Sequence, residues 1–316
     1  MNTFIRVAEV WVPSEDGSLL ELAGGLFDAA PAFGAISRQL CFGRAEGLPG
    51  HAWEEGRPLL LRELAGSYFR RAEAARAAGL TCAVALPIFA AGRLTSVVVL
   101  LCSDSEAQAG AIELWHNDPR ITGDLTLAEA CYGATDPALE ALSRDTFLPR
   151  GSGLPGLAWQ REAAVFIDNV GESHRFLRSQ AAAVAGIVRG LAIPCSTLRH
   201  ETWVLSLLSS GQAPIARRVE SWIPDESGLH LQRAFGYCEA SGNGLPVGEV
   251  SACAPAALGA IGRAWASATA QAAQGDEAVG AAQAVDWQAA GLRSVLAIPV
   301  VADGDGGVSE VVALHF

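Results

Sequence analysis

The chain has 316 residues, half of them apolar, so it is long enough for two or three domains with cores of their own. Its net charge is −12, and all 22 of its basic residues are arginine. An acidic chain without a basic run lacks the electrostatic footprint of a nucleic-acid or membrane-surface binder, so we expect neither partner.

Targeting signals and cysteine spacing indicate the compartment. The first residues lack a basic start followed by an apolar core, so no signal peptide is expected. The longest apolar runs are strand-sized and fall short of the roughly 20 residues that a membrane helix needs. The seven cysteines contain no C-x-x-C pair, which indicates reduced, scattered thiols. Together these features predict a cytoplasmic protein without a disulfide framework.

The chain opens with an alternating segment, AEVWVP, that contains Glu9 and Trp11. Alternation of apolar and polar residues is typical of a half-buried strand. The turn residues SEDGS follow, and a second apolar run completes a predicted hairpin.

The segment GLPGHAW at Gly47–Trp53 comes next, and the apolar run LLLREL after it predicts a short strand. The Ala-rich stretch AEAARAAG predicts a helix that ends on Gly79, where glycine fits a left-handed position. An Ala-x-Pro strand and a β-branched strand, SVVVLL, finish the unit. Hairpins with helices inserted between them predict an antiparallel α+β sheet.

This order of segments occurs three times. The Gly-Leu-Pro-Gly segment recurs as GLPGLAW at Gly153–Trp159 and, altered, as GAIGRAW at Gly259–Trp265. The opening Glu-x-Trp block recurs at Glu113–Trp115 and at Glu220–Trp222. Three shared blocks in one order predict three copies of one module.

We place the modules at residues 1–104, 105–211 and 212–316, each with a central antiparallel sheet flanked by helices. The connections between them are short and polar, so we expect limited freedom between modules. In the third copy an Ala/Gln-rich tract, Ala266–Ala290, replaces the strand and the start of the helix. The third module is therefore expected to be degenerate.

The hairpins, the Gly-Leu-Pro-Gly segments, the Phe-x-Arg motifs and the Ala-x-Pro strands together resemble the GAF family of sensor domains. The Phe-x-Arg motifs are Phe69 with Arg71 and Phe176 with Arg178. The opening is also similar to GAF-like regions of plant nitrate-responsive transcription factors. The resemblance implies a sensing or regulatory role. GAF domains bind cyclic nucleotides, tetrapyrroles, haem, anions or small metabolites, and some bind nothing.

The chain departs from the family at its ends. Family members usually begin with a long helix that pairs subunits, whereas Glu9 already lies in the first predicted strand. We expect no kinase, cyclase or DNA-binding segment after the modules. We expect any signal to pass through a separate protein partner, and the oligomeric state is left open.

Cofactor motifs are weak in this sequence. Gly151–Gly156 matches the G-x-G-x-x-G pattern of dinucleotide loops, but Ala45 stands in place of Gly151 in the first copy. We interpret the segment as a tight turn before a short helix. The six histidines lack metal-site spacing, and no Cys-His pair could hold a bilin. We expect no metal or cofactor, a single haem-ligating histidine being the alternative.

Thiol chemistry is the enzyme alternative. Free methionine sulfoxide reductases are GAF enzymes that need two thiols in one pocket, and Cys41 and Cys82 fall in one module. Cys41 aligns with Phe147 and Cys253 in the other copies, which favours a cysteine that fills the core. We therefore expect no catalytic residues, with a thiol-dependent reductase as the alternative.

The first two modules carry the candidate binding sites. A guanidinium at the start of each Ala-rich helix could hold an anion bidentately, and the alternative is an internal ion pair with Glu63 or Asp168. The third copy has Ala281 and Gln283 in place of the motif. Two tryptophans could floor an apolar cavity. The candidate ligand-binding residues are Trp53, Phe69, Arg71, Trp159, Phe176 and Arg178.

The sequence thus predicts a cytoplasmic sensing or regulatory protein without a catalytic site, whose ligand is a small molecule, with anions among the candidates. A structural protein-interaction module without a ligand is the second hypothesis, and the thiol-dependent reductase is the third.

Overall fold

Three antiparallel sheets follow one another along the chain. The computed structural model describes residues 3–103, 109–198, 201–281, 283–302 and 306–316. In these ranges every pair of strands is antiparallel. The α+β class predicted from the sequence is confirmed. Each sheet lies within one predicted module, and the boundaries at 1–104, 105–211 and 212–316 stay a prediction.

The first sheet is covered by three helices on one face. Its elements are β1 (Ile5–Pro13), β2 (Leu20–Leu26), α1 (Pro31–Ser37), β3 (Cys41–Phe42), α2 (Gly47–Glu55), β4 (Leu59–Leu61), α3 (Ala72–Ala77), β5 (Cys82–Ala90) and β6 (Arg93–Cys102). The strand order is β3-β2-β1-β6-β5-β4, so the opening strand β1 lies at the centre of the sheet.

The second sheet repeats this topology without the short third strand. Its elements are β7 (Gly110–Asn117), β8 (Thr126–Cys131), α4 (Pro137–Arg144), α5 (Gly153–Arg161), β9 (Val165–Ile167), α6 (Ser179–Val184), β10 (Ile187–Cys195) and β11 (Thr202–Ser210). The strand order is β8-β7-β11-β10-β9.

The third sheet has two additional short strands. Its elements are β12 (Arg218–Pro224), β13 (Leu231–Cys238), β14 (Asn243–Gly244), β15 (Gly248–Cys253), α7 (Ala260–Ser267), β16 (Gln271–Gln274), α8 (Ala284–Ala289), β17 (Ser294–Val301) and β18 (Val308–His315). The strand order is β14-β13-β12-β18-β17-β16, and β15 pairs with β13.

The expectation that the Ala/Gln-rich tract replaces the edge strand of the third module is wrong. β16 lies inside the tract and pairs with β17 over four residues. The hydrogen bonds between paired strands join main-chain groups. The tract can therefore form a strand although it has no β-branched residues at these positions. Only Ala273 of this strand is buried.

Glycines close the Ala-rich helices as predicted. Gly79 and Gly186 follow α3 and α6 with φ of 69° and 70°, in the left-handed region that favours glycine. Gly291 follows α8 with φ of 65°. The predicted helix ends at Gly79 and Gly186 thus have the expected conformation, and the third copy has the same glycine without its having been predicted.

The Gly-x-x-Gly segments are turns that begin helices, as interpreted from the sequence. Their first glycines, Gly47, Gly153 and Gly259, have φ of 57°, 66° and 56°. α2 and α5 begin at this glycine, and α7 begins directly after it. Because the neighbouring sheets are antiparallel, the segment serves helix entry and is not the turn of a dinucleotide-binding βαβ unit.

The prediction of a half-buried opening strand is wrong for β1, because both faces of its sheet are buried, as the neighbouring strand β6 also shows. In β6, Val97, Val99 and Leu101 pack against the helices of their own module. The alternating residues, Val98 and Leu100, belong to a central core shared by all three modules. The modules thus pack together through the sheet faces opposite to their helices.

Equivalent hydrogen bonds join successive modules in this shared core. The main-chain N–H of Ala164, just before β9, donates to Glu310 of the third module at 2.7 Å. The N–H of Ala270, just before β16, donates to Ser96 of the first module at 3.1 Å. Ser96 and Glu310 occupy equivalent positions in their sheets. Each is paired with the residue that directly follows the proline of the Ala-x-Pro strand.

The third contact completes a cycle of modules. The residue that corresponds to Ala164 and Ala270 in the first module is Pro58, which has no N–H to donate. In the second module, the position equivalent to Ser96 and Glu310 is occupied by Trp203. The guanidinium of Arg57 lies over the ring of Trp203, 5.1 Å from its centre. Arg57 also bridges to Glu129 on β8 at 3.1 Å. The first module therefore contacts the second, the second the third, and the third the first.

Candidate ligand-binding sites

A buried carboxylate lies between the sheet and the helices of the first module. Glu9, on β1, is fully buried, and both of its oxygens accept hydrogen bonds from Arg71. Arg71 is the residue before α3, and its Nη2 lies 2.9 Å from Glu9 Oε2. Trp11 Nε1 donates to the same oxygen at 3.0 Å, and Ser37 Oγ lies 2.5 Å from Arg71 Nη1. This is a closed, bidentate ion pair.

Aromatic rings surround the Arg71 guanidinium. Its central carbon lies 4.6 Å from the ring centre of Phe33 and 5.1 Å from that of Phe69. Trp11 and Phe42 lie at 5.5 Å and 5.7 Å. A planar, weakly hydrated guanidinium is the cation best suited to such a site. The Phe-x-Arg motif thus supplies both the cation and one of its walls.

The second module repeats the cluster with an additional phenol. Arg178 Nη1 and Nη2 lie 2.5 Å and 2.9 Å from the two oxygens of Glu113, and Arg178 also donates to Ser143. Trp115 Nε1 donates to Glu113 at 2.8 Å, and the Tyr132 hydroxyl donates to it at 2.5 Å. Burial opposes ionisation of Glu113, but Arg178 outweighs it and lowers the pKa of the carboxyl.

The third module keeps the carboxylate and changes the cations. Trp222 Nε1 donates to Glu220 at 2.8 Å, as in the other copies. Gln283 stands before α8 where the other modules have the motif arginine, and its buried Oε1 has no hydrogen-bond partner among the described residues. Arg233 on β13 and His315 on β18 lie 3.4 Å and 3.3 Å from Glu220 instead. The positive charge beside Glu220 therefore comes from Arg233 and Arg218, which lie on strands, and not from the helix.

The proton of His315 faces the carboxylate. Trp287 Nε1 donates to His315 Nδ1 at 3.0 Å, so Nδ1 is the acceptor. His315 Nε2 then carries the hydrogen that points to Glu220 Oε2. Burial raises the pKa of Glu220, but His315, Arg233 and Trp222 together lower it to about 2.

We expect the protein to lose stability in acid partly through Glu220. An acid whose pKa is lower in the folded state stabilises the fold above its unfolded pKa, and this contribution is lost as the pH falls. The melting temperature should therefore drop between about pH 4.5 and about pH 2. Glu220→Gln should melt lower at neutral pH and show a shallower decline in acid. Parallel melting curves for the two proteins between pH 6 and pH 2 would contradict this.

The six predicted ligand-binding residues fall into two groups. Phe69, Arg71, Phe176 and Arg178 belong to the buried clusters just described. The two tryptophans lie on α2 and α5 beneath other arginines: Arg44 covers Trp53 at 4.6 Å, and Arg150 covers Trp159 at 5.8 Å. Trp159 also lines a cavity of about 260 Å³ between the second and third modules.

The ion-pair partners expected for the motif arginines are wrong. Glu63 and Asp168 are exposed, while the partners are Glu9 and Glu113 on the opening strands. The sequence contained the signal, because a carboxylate recurs inside an apolar strand in every copy. Such a group, once buried, needs a buried cation.

The two thiols of the reductase hypothesis do not share a pocket. Cys41 is exposed on β3, and Cys82 is buried on β5. Three strands separate β3 from β5, and at ~4.8 Å per strand spacing the distance is about 19 Å. In the second module, burial raises the pKa of Cys195 to about 12, which disfavours the reactive thiolate.

The described part of the chain contains neither a metal-binding cluster nor a membrane-spanning helix. No group of three or more His, Cys, Asp or Glu side chains there could hold a metal ion. None of the described helices is long and apolar enough to cross a membrane.

Comparisons with known proteins gave structural matches only. No protein-family model and no curated protein matches the chain. A GAF domain of A. aeolicus NLH2 is 18% identical over 32% of this chain and 60% of its own, with a TM-score of 0.26. A GAF/HD domain protein of Geobacter sulfurreducens is 12% identical over 33% and 65%, with a TM-score of 0.27.

Free methionine-R-sulfoxide reductase of Neisseria meningitidis is 18% identical over 33% of this chain and 53% of its own, with a TM-score of 0.24. The chain thus matches less than two thirds of the length of each of these structures. The resemblance to GAF domains is confirmed, and it concerns the fold alone.

Proposed function

We propose that the chain is a cytoplasmic regulatory protein that binds a small molecule, carries out no catalysis and acts on a separate protein partner. The observation that supports this is the Glu–Arg cluster, with its aromatic walls, in the first two modules. Its binding residues would be Arg71 and Arg178, with Phe69 and Phe176 as walls and Trp53 and Trp159 on the covering helices.

The energetics of a buried ion pair favour a role beyond packing. Removing two charges from water costs several kcal/mol per ion, and well-packed apolar side chains often stabilise a fold equally well. In both modules the carboxylate sits against a guanidinium whose fork fits any planar anion. A ligand carboxylate could therefore replace Glu9 or Glu113 on the arginine and alter the position of the helix that follows.

Chemical rescue tests whether an external anion can reach this place. Glu113→Ala removes the internal carboxylate and leaves Arg178 buried without its partner, so the variant should melt lower than wild type. Formate should then raise its melting temperature by several degrees more than it raises that of wild type, because it refills the space beside the guanidinium. Sodium chloride at equal ionic strength is the control for general salt effects.

Glu220→Ala provides a matched control in the third module, where no motif arginine precedes the helix. Formate should rescue Glu113→Ala more than Glu220→Ala. Equal effects of formate on wild type, Glu113→Ala and Glu220→Ala would show that the clusters are closed to anions. That outcome would favour the ligand-free interaction module instead.

A further inference from the structure

A cavity of about 550 Å³ lies between the first and third modules, in the size range of small-molecule sites. Its walls come from β1 and the end of β2 on one side, and from the segments just before β12 and β17 on the other. Three arginines line it: Arg6, Arg217 and Arg293.

The positive charge of this cavity is not neutralised within the described chain. Arg217 donates only to main-chain oxygens, of Gly291 at 2.6 Å and of Ala290 at 3.2 Å. The side chains of Arg6 and Arg293 make no hydrogen bond, ion pair or ring contact among the described residues. Asp28 has the one acidic side chain among the described lining residues, and it accepts a hydrogen bond from Gln274 at 3.3 Å.

This local excess of positive charge contrasts with a chain of 34 acidic and 22 basic residues. Elsewhere arginines are commonly paired with carboxylates, as Arg57, Arg71 and Arg178 are. Three arginines that line one cavity with a single acidic side chain repel one another, and a bound anion would reduce this repulsion. The cavity therefore has the charge expected of a site that binds anions.

A β-bulge places Arg6 at this wall. The ladder between β1 and β6 shifts between Ile5 and Val7, which leaves Arg6 without a partner in β6. Ile5 belongs to the shared core and Val7 to the core beneath the helices, so the bulge lets Arg6 leave both cores. Bulges redirect side chains in this way and are frequent beside binding sites.

We infer that this cavity binds a small organic anion carrying phosphate or carboxylate groups. The guanidinium groups would bind its oxygens, and Leu26 and Phe316 in the lining would contact its carbon skeleton. Such a ligand would connect β1 to β17 and hold the first module against the third, the contact that closes the cycle of modules. The site depends on the proposed function only in that both require a small-molecule ligand.

Isothermal titration with inorganic pyrophosphate and with citrate, at low ionic strength, tests the site. We expect saturable binding of at least one of the two to the wild-type protein. Arg6→Ala and Arg293→Ala should each weaken that binding by about tenfold, the effect of losing one charge-assisted contact. Arg93→Ala, which removes an exposed arginine outside this lining, should leave the affinity nearly unchanged.

Three results would overturn the inference: no saturable binding of either anion, unchanged affinity in Arg6→Ala and Arg293→Ala, or an equal loss in Arg93→Ala. Thermal melts establish that each variant is folded, which is expected because the side chains of Arg6 and Arg293 have no partner among the described residues. Formate rescue of Glu113→Ala does not involve this cavity. Failure of the titration therefore leaves the proposed site inside the modules to its own test.

Discussion

Arg178→Gln is expected to lower the free energy of unfolding by about 3–5 kcal/mol, the usual cost of breaking one side of a buried ion pair. The variant leaves Glu113 buried without its cation, while Trp115 and Tyr132 still hold the carboxylate in place. The third module has glutamine at the equivalent position, so we expect the substitution to be compatible with the backbone conformation there. Urea unfolding followed by tryptophan fluorescence measures the loss.

The double variant Glu113→Gln/Arg178→Gln separates charge from packing. It removes both ions, so no uncompensated charge remains, and we expect it to be more stable than Arg178→Gln alone. Arg175→Gln, an exposed neighbour in the same loop, should stay within about 0.5 kcal/mol of wild type. Equal stability of the single and double variants would mean that the Glu113 charge does not depend on Arg178.

The sequence predicted the hairpin strands, the Ala-rich helices and the closing strands, because these elements are encoded locally. It did not predict α1, α4 or β16. Strand alternation, turn residues and the glycines that end the helices act within a few residues of one another. Gly79 and Gly186 have the left-handed conformation that their position after an Ala-rich stretch predicts. The threefold repetition reinforced each of these local signals.

The ion pairs could not be assigned in the same way, because they join distant parts of the chain. Glu9 and Arg71 are 62 residues apart, and Glu113 and Arg178 are 65 residues apart. Their meeting depends on how β1 and β7 lie at the centre of their sheets. Acidic residues close to the motif arginines in sequence, Glu63 and Asp168, were the ion-pair partners considered from the sequence. Both are exposed in the structure.

Packing between the modules left a signal that could have been used. Val97–Cys102 is a continuous apolar run, the pattern of a strand buried on both faces. Both faces of β6 are indeed covered, one by helices and one by the shared core. The arginine cavity between the first and third modules had no such signal, because Arg6, Arg217 and Arg293 come from segments without any common motif.

The Gly-x-x-Gly segment is the local signal whose physical cause is clearest. A Cβ on the second glycine would lie 2.0 Å from the carbonyl oxygen of Gly43 in the first module. The corresponding distances are 2.5 Å for Gly156 from Pro149 and 1.8 Å for Gly262 from Pro255. In each copy the carbonyl belongs to the residue seven positions earlier, so the incoming loop passes directly over the helix.

Gly50→Ala is therefore expected to destabilise the protein by about 3 kcal/mol, at the upper end of the cost of overpacking. The added methyl group would meet main chain, which cannot rotate away as a side chain can. The N–H of Ala45 also donates to the Gly50 carbonyl at 2.9 Å, so moving the loop breaks a hydrogen bond. Alanine favours a helix by about 0.5–1 kcal/mol over glycine, which offsets only part of this cost.

Thermal and urea unfolding of Gly50→Ala should be compared with Gly123→Ala. Gly123 is exposed, and a Cβ there would meet no atom within 4 Å, so that variant should unfold like wild type. If the Gly-x-x-Gly segment were a ligand-binding loop, Gly50→Ala would have normal stability and altered ligand binding. If Gly50→Ala unfolds like wild type, the loop can move away from the added methyl group at little cost in free energy. The close approach of the loop main chain to the helix would then not explain the glycine.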